Sequence, residues 1–327
     1  MAFVNAWRFA PAPWTPFADR EVLDRVMLTD IRANQGRIFE NPEFELKCVY
    51  DARNYFAVDL FQRIRMSDVE DKKFVVVLPS PENSVYRSVA ENLNKFRVSC
   101  RNVEVFFFDE SANKKGEVAP YESPYSRSGQ WMKYFYEKVD PALRMPMEQI
   151  HFWTKDNVDT YSDLIAEAGG ADVIYSEMSW TGIRNIDAES FASKTVEELL
   201  SKGSAHVTPM MEQLCLDSLR GMFGCSGDIS NVPPCTVTIG PKDLKAAKLN
   251  LCFNFLTSAN GANNLQKPCL QLAMYGPIDP RNPGSILRLF PGTCYVSATV
   301  SAPTNYGGDE DWLGEKIEAI RKAEGGA

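Results

Sequence analysis

The sequence predicts an α/β protein with a doubly wound, mainly parallel sheet and helices on both faces. Three observations lead there. Short apolar blocks at 74–78, 103–108 and 172–175 are continuous rather than alternating, as in strands buried on both faces. These blocks alternate with segments of helical periodicity, the pattern of βαβ units. The chain has 327 residues, 44% hydrophobic and 24% charged, a globular composition that suits one large domain or two modest ones.

The first 40 residues carry Trp7, Pro11, Pro13, Trp14, Pro16 and Phe17. The prolines oppose regular structure, and the aromatic rings suit an arm packed on this domain or on a neighbouring subunit. Residues 21–35 have helical periodicity, with Val22, Leu23, Val26, Met27 and Ile31 on one side. A helix over 54–66 follows, with Phe56, Leu60 and Ile64 as its stripe. A buried strand at 74–78 ends in Pro79-Ser80-Pro81. A helix over 85–96 comes next, with Asn83 or Ser84 as its N-cap. A second strand at 103–108 is closed by Asp109-Glu110, and 111–124 is a loop.

Helices are expected over 127–138 and 158–168, the second stopped at Gly169-Gly170. A short strand at 149–153 lies between them, and another strand follows at 172–175. Strands at 235–239 and 249–256, a helical turn at 243–247 and a helix over 262–273 continue the chain, and 294–300 closes the sheet. Residues 311–324 form a charged C-terminal helix with Trp312, Ile317 and Ile320 inward. The organisation is an N-terminal arm and helix (1–49), an α/β domain (50–305) and a C-terminal helix and tail (306–327). In such a sheet ligands sit beyond the carboxyl ends of the strands.

Composition narrows the function. The 35 Lys plus Arg against 43 Asp plus Glu give a net charge of −8, a poor match to nucleic acid. A local basic pocket for a phosphorylated small molecule stays open. No apolar run approaches the roughly 20 residues that span a bilayer, so no membrane partner is expected. The start MAFVNAWRFAPAPW has no secretory pattern. The eight cysteines include no C-x-x-C pair and read as free thiols of a cytoplasmic protein. Two histidines, His151 and His206, exclude a His-rich metal site. No G-x-G-x-x-G, Walker A, H-E-x-x-H or G-x-S-x-G motif is present, and neither a cofactor nor a metal is expected.

Four segments stand out, in order: FVVVLPSPENSVYRSVAENL, VEVFFFDE, GGADVIYSEMSWTGIRNIDAESF and NVPPCTVTIGPKDLKAAKLNLCFN. Together they resemble the glucosamine-6-phosphate deaminase and 6-phosphogluconolactonase superfamily over roughly residues 50–300, with the deaminase branch the nearer. The resemblance implies a modified Rossmann-like fold, a homo-oligomer and a phosphorylated sugar as the small-molecule partner. It also implies carbohydrate chemistry of the isomerase or hydrolase kind, by aldose–ketose isomerisation or deamination.

Carried over residue by residue, the resemblance implies an acid–base carboxylate at Asp109, with Glu110 beside it. A carboxylate at a strand end can move a proton between adjacent carbons. It can equally cap a nearby helix N-terminus. The family's Asp-Gly-His loop falls on Thr181, Gly182 and Ile183, and an isoleucine transfers no proton. The phosphate loop falls on Ser80, Asn83 and Ser84, where Pro79 and Pro81 remove two donors and Glu82 repels an anion. The family's arginine falls on Arg220, and its later lysine near Asn260. The candidate substrate-binding residues are therefore Ser80, Asn83, Ser84, Thr181, Gly182, Arg184 and Arg220. Two readings stand: an enzyme acting on a phosphorylated amino sugar, or a non-catalytic or repurposed member that binds a small ligand. His206 is a remote replacement base, and Trp153 and Trp180 are either core residues or stacking faces for a sugar.

Overall fold

The computed structural model describes residues 19–27, 29–79, 83–178, 182–188, 190–208, 232–255 and 266–302. Its centre is a seven-stranded sheet, every pair of which is parallel, in the order β1-β10-β9-β6-β2-β3-β5. The strands are β1 (Phe44–Val49), β2 (Phe74–Leu78), β3 (Val103–Phe107), β5 (Ile150–His151), β6 (Val173–Ser176), β9 (Asn250–Asn254) and β10 (Gly292–Ser297). Every residue of β2, β6 and β9 is buried, as their unbroken apolar character requires of strands covered on both faces.

A second, three-stranded antiparallel sheet orders β4 (Asp109–Ala112), β8 (Cys235–Thr238) and β7 (Ala205–Val207) as β4-β8-β7. This corrects two expectations. Asp109-Glu110 does not close the second strand but opens a new one, because Phe108 turns the chain out of the main sheet. The strand at 235–238 pairs with β4 and β7, not with the parallel sheet.

The helices are α1 (Arg20–Met27), α2 (Ala52–Glu70), α3 (Asn83–Phe96), α4 (Arg127–Tyr134), α5 (Tyr161–Glu167), α6 (Val196–Leu199), α7 (Pro241–Ala246), α8 (Lys267–Tyr275) and α9 (Ala298–Ser301). α2 buries Ala52, Phe56, Leu60 and Ile64, and α3 buries Val85, Tyr86, Val89, Ala90 and Leu93. Spacings of three and four residues place each set on one helix face. Phe56, Tyr175, Phe253 and Tyr295 form a run of neighbouring rings between α2 and the sheet, at centroid distances of 4.9–5.1 Å. Gly169 and Gly170 end α5 with φ of +107° and +79°, as expected of left-handed residues after a helix.

Several boundaries differ from the sequence reading. α1 stops at Met27, not 35, because Asp30 Oδ1 accepts the Arg32 and Ala33 amides at 2.8 and 3.2 Å and turns the chain. α3 begins at Asn83, so Asn83 and Ser84 are its first helical residues and not its cap. β10 does not close the sheet: it lies between β1 and β9 and runs into α9 at 298. β1, set with the N-terminal arm in the sequence reading, is the sheet's edge and pairs with β10 from Phe44↔Gly292 to Val49↔Ser297. The arm at 1–18 and the C-terminal helix at 311–324 lie outside the described residues.

Candidate functional site

The parallel strands point their carboxyl ends to one side, and the elements that follow them build the site. After β2 the chain enters α3, whose first turn carries no acidic residue. Such a terminus carries the positive end of the helix dipole. Asn83 is half-buried there, and its Oδ1 is buried without a hydrogen-bond partner. Ser84 is exposed. Ser80, Thr181 and Arg220 lie outside the described residues, as do Asn260 and Trp180.

β4 starts directly beyond β3. Successive strand residues face opposite sides, so Asp109 and Glu110 diverge. Asp109 is 2% exposed. Its Oδ2 pairs with Arg127 Nη1, accepts from Asn185 Nδ2, and lies 3.7 Å from Arg184 Nε. Arg127, Arg184 and Asn185 are themselves buried. Arg184 also reaches Glu177 Oε1 with Nη1 at 2.6 Å, and its backbone N–H donates to the Glu177 carbonyl at 3.0 Å. The carboxylate that the family resemblance makes an acid–base group thus sits inside a buried ionic cluster. Guanidinium–carboxylate pairs of this kind hold geometry and are costly to break.

Glu110 faces the N-terminus of α4. Its Oε1 accepts the backbone N–H groups of Arg127 and Ser111, both at 2.8 Å. Its Oε2 accepts Ser128 N at 2.9 Å and Ser128 Oγ at 2.7 Å. Burial pushes the carboxyl up from the ordinary glutamate value, while the hydrogen bonds from Arg127, Ser128 and Ser111 act in the opposite direction. These hydrogen bonds seat Glu110 against the first turn of α4, whose N-cap is Ser126.

The chain after β6 folds back on itself. Met178 bridges Ile183, which bridges Ile186. Met178 N donates to Asn254 Oδ1 at 3.2 Å, and Gln266 Nε2 donates to the Met178 carbonyl at 3.1 Å. The loop is therefore tied to the end of β9 and the start of α8. Ile183 is fully buried. A Cβ on Gly182 would lie 2.4 Å from the Ile186 carbonyl oxygen, so only glycine fits. Asn185 adopts φ of +60°, a left-handed conformation that asparagine tolerates better than most residues, and this turn carries its amide to Asp109.

Neither histidine stands in for the one missing at 183. His206 lies opposite Val237, which lies opposite Glu110; it therefore shares the face of Glu110, not that of Asp109, and its Nε2 is 2.9 Å from the Asn113 carbonyl. His151 pairs with Glu104 at 2.7 Å and stacks on Phe106 at 4.1 Å. Trp153 is core: it is 3% exposed, stacks on Tyr161 at 3.5 Å and donates to the Phe107 carbonyl. Lys267 is half-buried and donates to the Ala302 carbonyl at 2.6 Å. Among the described residues no cluster of three or more His, Cys, Asp or Glu could hold a metal ion, and no helix is long and apolar enough to cross a membrane.

The sequence reading missed Arg127, Asn185 and Glu177 as members of the Asp109 cluster. Arg127 opens a helix, a place where an arginine gains nothing from the helix dipole. That was the available signal that its side chain serves another group.

No family model matches the sequence. A glucosamine-6-phosphate deaminase from Lachnoclostridium phytofermentans is 25% identical over 166 residues, which is 49% of this chain and 62% of that protein. The chain thus matches less than two thirds of that relative's length. Among solved structures, a monomeric glucosamine-6-phosphate deaminase superposes with a TM-score of 0.62 at 15% identity, over 78% of this chain and 98% of that one. The 6-phosphogluconolactonase from Thermotoga maritima gives 0.52 at 15% identity, over 78% and 99%. The class is therefore a doubly wound α/β protein built on a parallel seven-stranded sheet. Its fold is the one seen in these glucosamine-6-phosphate deaminase and 6-phosphogluconolactonase structures.

Proposed function

We propose that this protein binds a phosphorylated sugar beyond the carboxyl ends of β2, β3 and β6, as a repurposed member of its superfamily. The observation that carries this reading is the start of α3: a 14-residue helix without an acidic first turn, following β2 next to β3, beyond which Asp109 opens β4. That arrangement suits a phosphate. Gly182 and Arg184 line the approach from β6, and Asn83 and Ser84 the approach from β2.

The same geometry argues against ring opening and deamination of the family kind. The ring-opening position holds a buried isoleucine, and Asp109 is engaged by Arg127, Asn185 and Arg184. An enzymatic reading keeps one point of support, the retention of a carboxylate at the end of β3. In that reading Asp109 would exchange its arginine partners for substrate.

Thermal denaturation with glucosamine 6-phosphate, fructose 6-phosphate, glucosamine and inorganic phosphate tests the proposal, since a ligand of the folded state raises Tm. Stabilisation by the sugar phosphates without ammonium release is expected. Ammonium release would restore the enzymatic reading, and no stabilisation by any sugar phosphate would remove the binding reading.

A further inference from the structure

α2 is apolar on two faces. Phe56, Leu60 and Ile64 are buried against the sheet. Tyr55, Val58, Met66 and Val69 are exposed on another side, Val58 and Val69 by 60% and 70%. With exposed Gln62 in the middle, these residues are spaced by three, four, four and three positions, which makes one stripe about 21 Å long. Phe96, at the end of α3, is exposed beside α2, its ring 5.8 Å from that of half-buried Phe61. Tyr50 is exposed just before α2. Among the described residues nine large hydrophobic side chains are exposed, and six of them lie on α2 or next to it. The outer side of α3, which packs beside α2, is charged instead, with exposed Arg87, Glu91 and Lys95. An apolar centre with a charged margin is the make-up of an interface rather than of free surface.

We propose that this stripe pairs with the same stripe of a second copy of the chain, antiparallel, about a two-fold axis at Gln62. The spacing reads identically in both directions, which is what a two-fold interface requires of one surface meeting itself. Tyr55 lies level with Val69 of the partner subunit, Val58 with Met66 of the partner subunit, and the Gln62 amide with its own copy, where each can donate and accept. The charges of α2 fit the same register. Arg53 and Asp59 lie level with Asp71 and Arg65 of the partner subunit, and no two like charges are level. Antiparallel helices also set each dipole end against its opposite. The face made by α2 and α3 measures about 28 by 20 Å, on the order of the roughly 800 Å² that each partner gives to a stable interface. The assignment is independent of the sugar-phosphate reading.

Sedimentation velocity of the full chain over a dilution series tests it, with Val58→Glu, Met66→Lys and an equal mixture of the two. Both positions are exposed, so the variants are expected to fold, and their melting curves serve as the check. The wild type is expected to be a dimer. Each variant alone sets an unpaired charge in the seam and should raise the dimer dissociation constant about a hundredfold. The mixture sets opposite charges level across the axis and should regain dimer. A wild-type dimer that persists in both variants would place the interface elsewhere and overturn the assignment. Two monomeric variants whose mixture stays monomeric would overturn the antiparallel register. A monomeric wild type would overturn the dimer; if Val58→Glu then lowered Tm, although glutamate is the better helix former, the stripe would be covered by a segment of its own chain.

Discussion

Arg127 joins Asp109 to Glu110 through two different groups. Its guanidinium pairs with Asp109, and its backbone N–H donates to Glu110 Oε1 at 2.8 Å. The two acidic neighbours therefore face opposite sides of β4 yet depend on the same residue. Glu110 fixes where α4 begins; the start of α4 fixes Arg127; and Arg127 holds Asp109.

Replacing Asp109 by Asn leaves the Arg127 guanidinium buried without its countercharge. Breaking one side of a buried pair costs about 3–5 kcal/mol, so the urea midpoint is expected to fall clearly. Unchanged stability in this variant would mean that the carboxylate is not a structural ion-pair partner and would favour an acid–base role.

Glu110 gives a dependence on pH of defined sign. Its folded-state value is raised by burial, so the native state holds the proton more tightly than the unfolded chain. The resulting stability is fully present below the unfolded glutamate value, about 4.3, and is lost as pH rises through the higher folded value. Urea denaturation of wild type and Glu110→Gln from pH 4 to 7 should show the wild-type advantage shrinking with rising pH. A constant difference, or one that grows, would contradict the raised value.

Ile183→His is the direct attempt to restore the family's proton-transfer group. The site is fully buried, and an imidazole without partners there costs about 1–3 kcal/mol. A lower Tm and no ammonium release from glucosamine 6-phosphate are expected. Measurable release would show that the loop can reopen around a histidine.

Gly182→Ala tests the loop itself. Its added Cβ would meet the Ile186 carbonyl oxygen at 2.4 Å, so the backbone must shift. Destabilisation of about 1–3 kcal/mol is expected, with Asn185 drawn away from Asp109. Gly36, which has open space around the same hypothetical atom, is the control and should accept alanine with little change.

The thiols are expected to be quiet. Cys100, Cys252, Cys269 and Cys294 are buried, Cys100 is pushed up to about 12 by burial, and Cys294 is raised by its hydrogen bond with Cys252 and by burial. Maleimide labelling followed by peptide mapping should find these four protected in the native protein and labelled in denaturant. Native labelling of Cys294 would contradict the packing of β9 against β10.

The parallel sheet was legible because its strands are unbroken apolar runs: Phe74–Leu78 forms a strand with the expected bounds. β1 was not. Its burial alternates at Phe44, Glu45, Leu46 and Lys47, as expected of an edge strand, and a short alternating run beside a Pro-rich arm gives little signal. The small sheet was hidden for a different reason. Asp109–Ala112 has no apolar pattern, and its pairing with 235–238 is set by tertiary contact. At the site, the loss of the histidine position could be read from Ile183 directly. The capture of Asp109 by Arg127 and Asn185 could not, because it depends on a left-handed turn at Asn185 and on a helix start 18 residues after Asp109.

The pairing of β1 with β10 has a consequence for how the chain is made. Phe44 pairs with Gly292, and Val49 with Ser297, so the earliest of the described strands to be synthesised waits for the latest of them. Until β10 emerges from the ribosome, β9 has no neighbour on that side, and its buried residues stand at an open edge. Closing a loop of such length comes late and slowly, and exposed apolar edges invite association with other chains. Nascent chains stalled before 292 should therefore be the species that chaperones hold, and release should follow completion of β10.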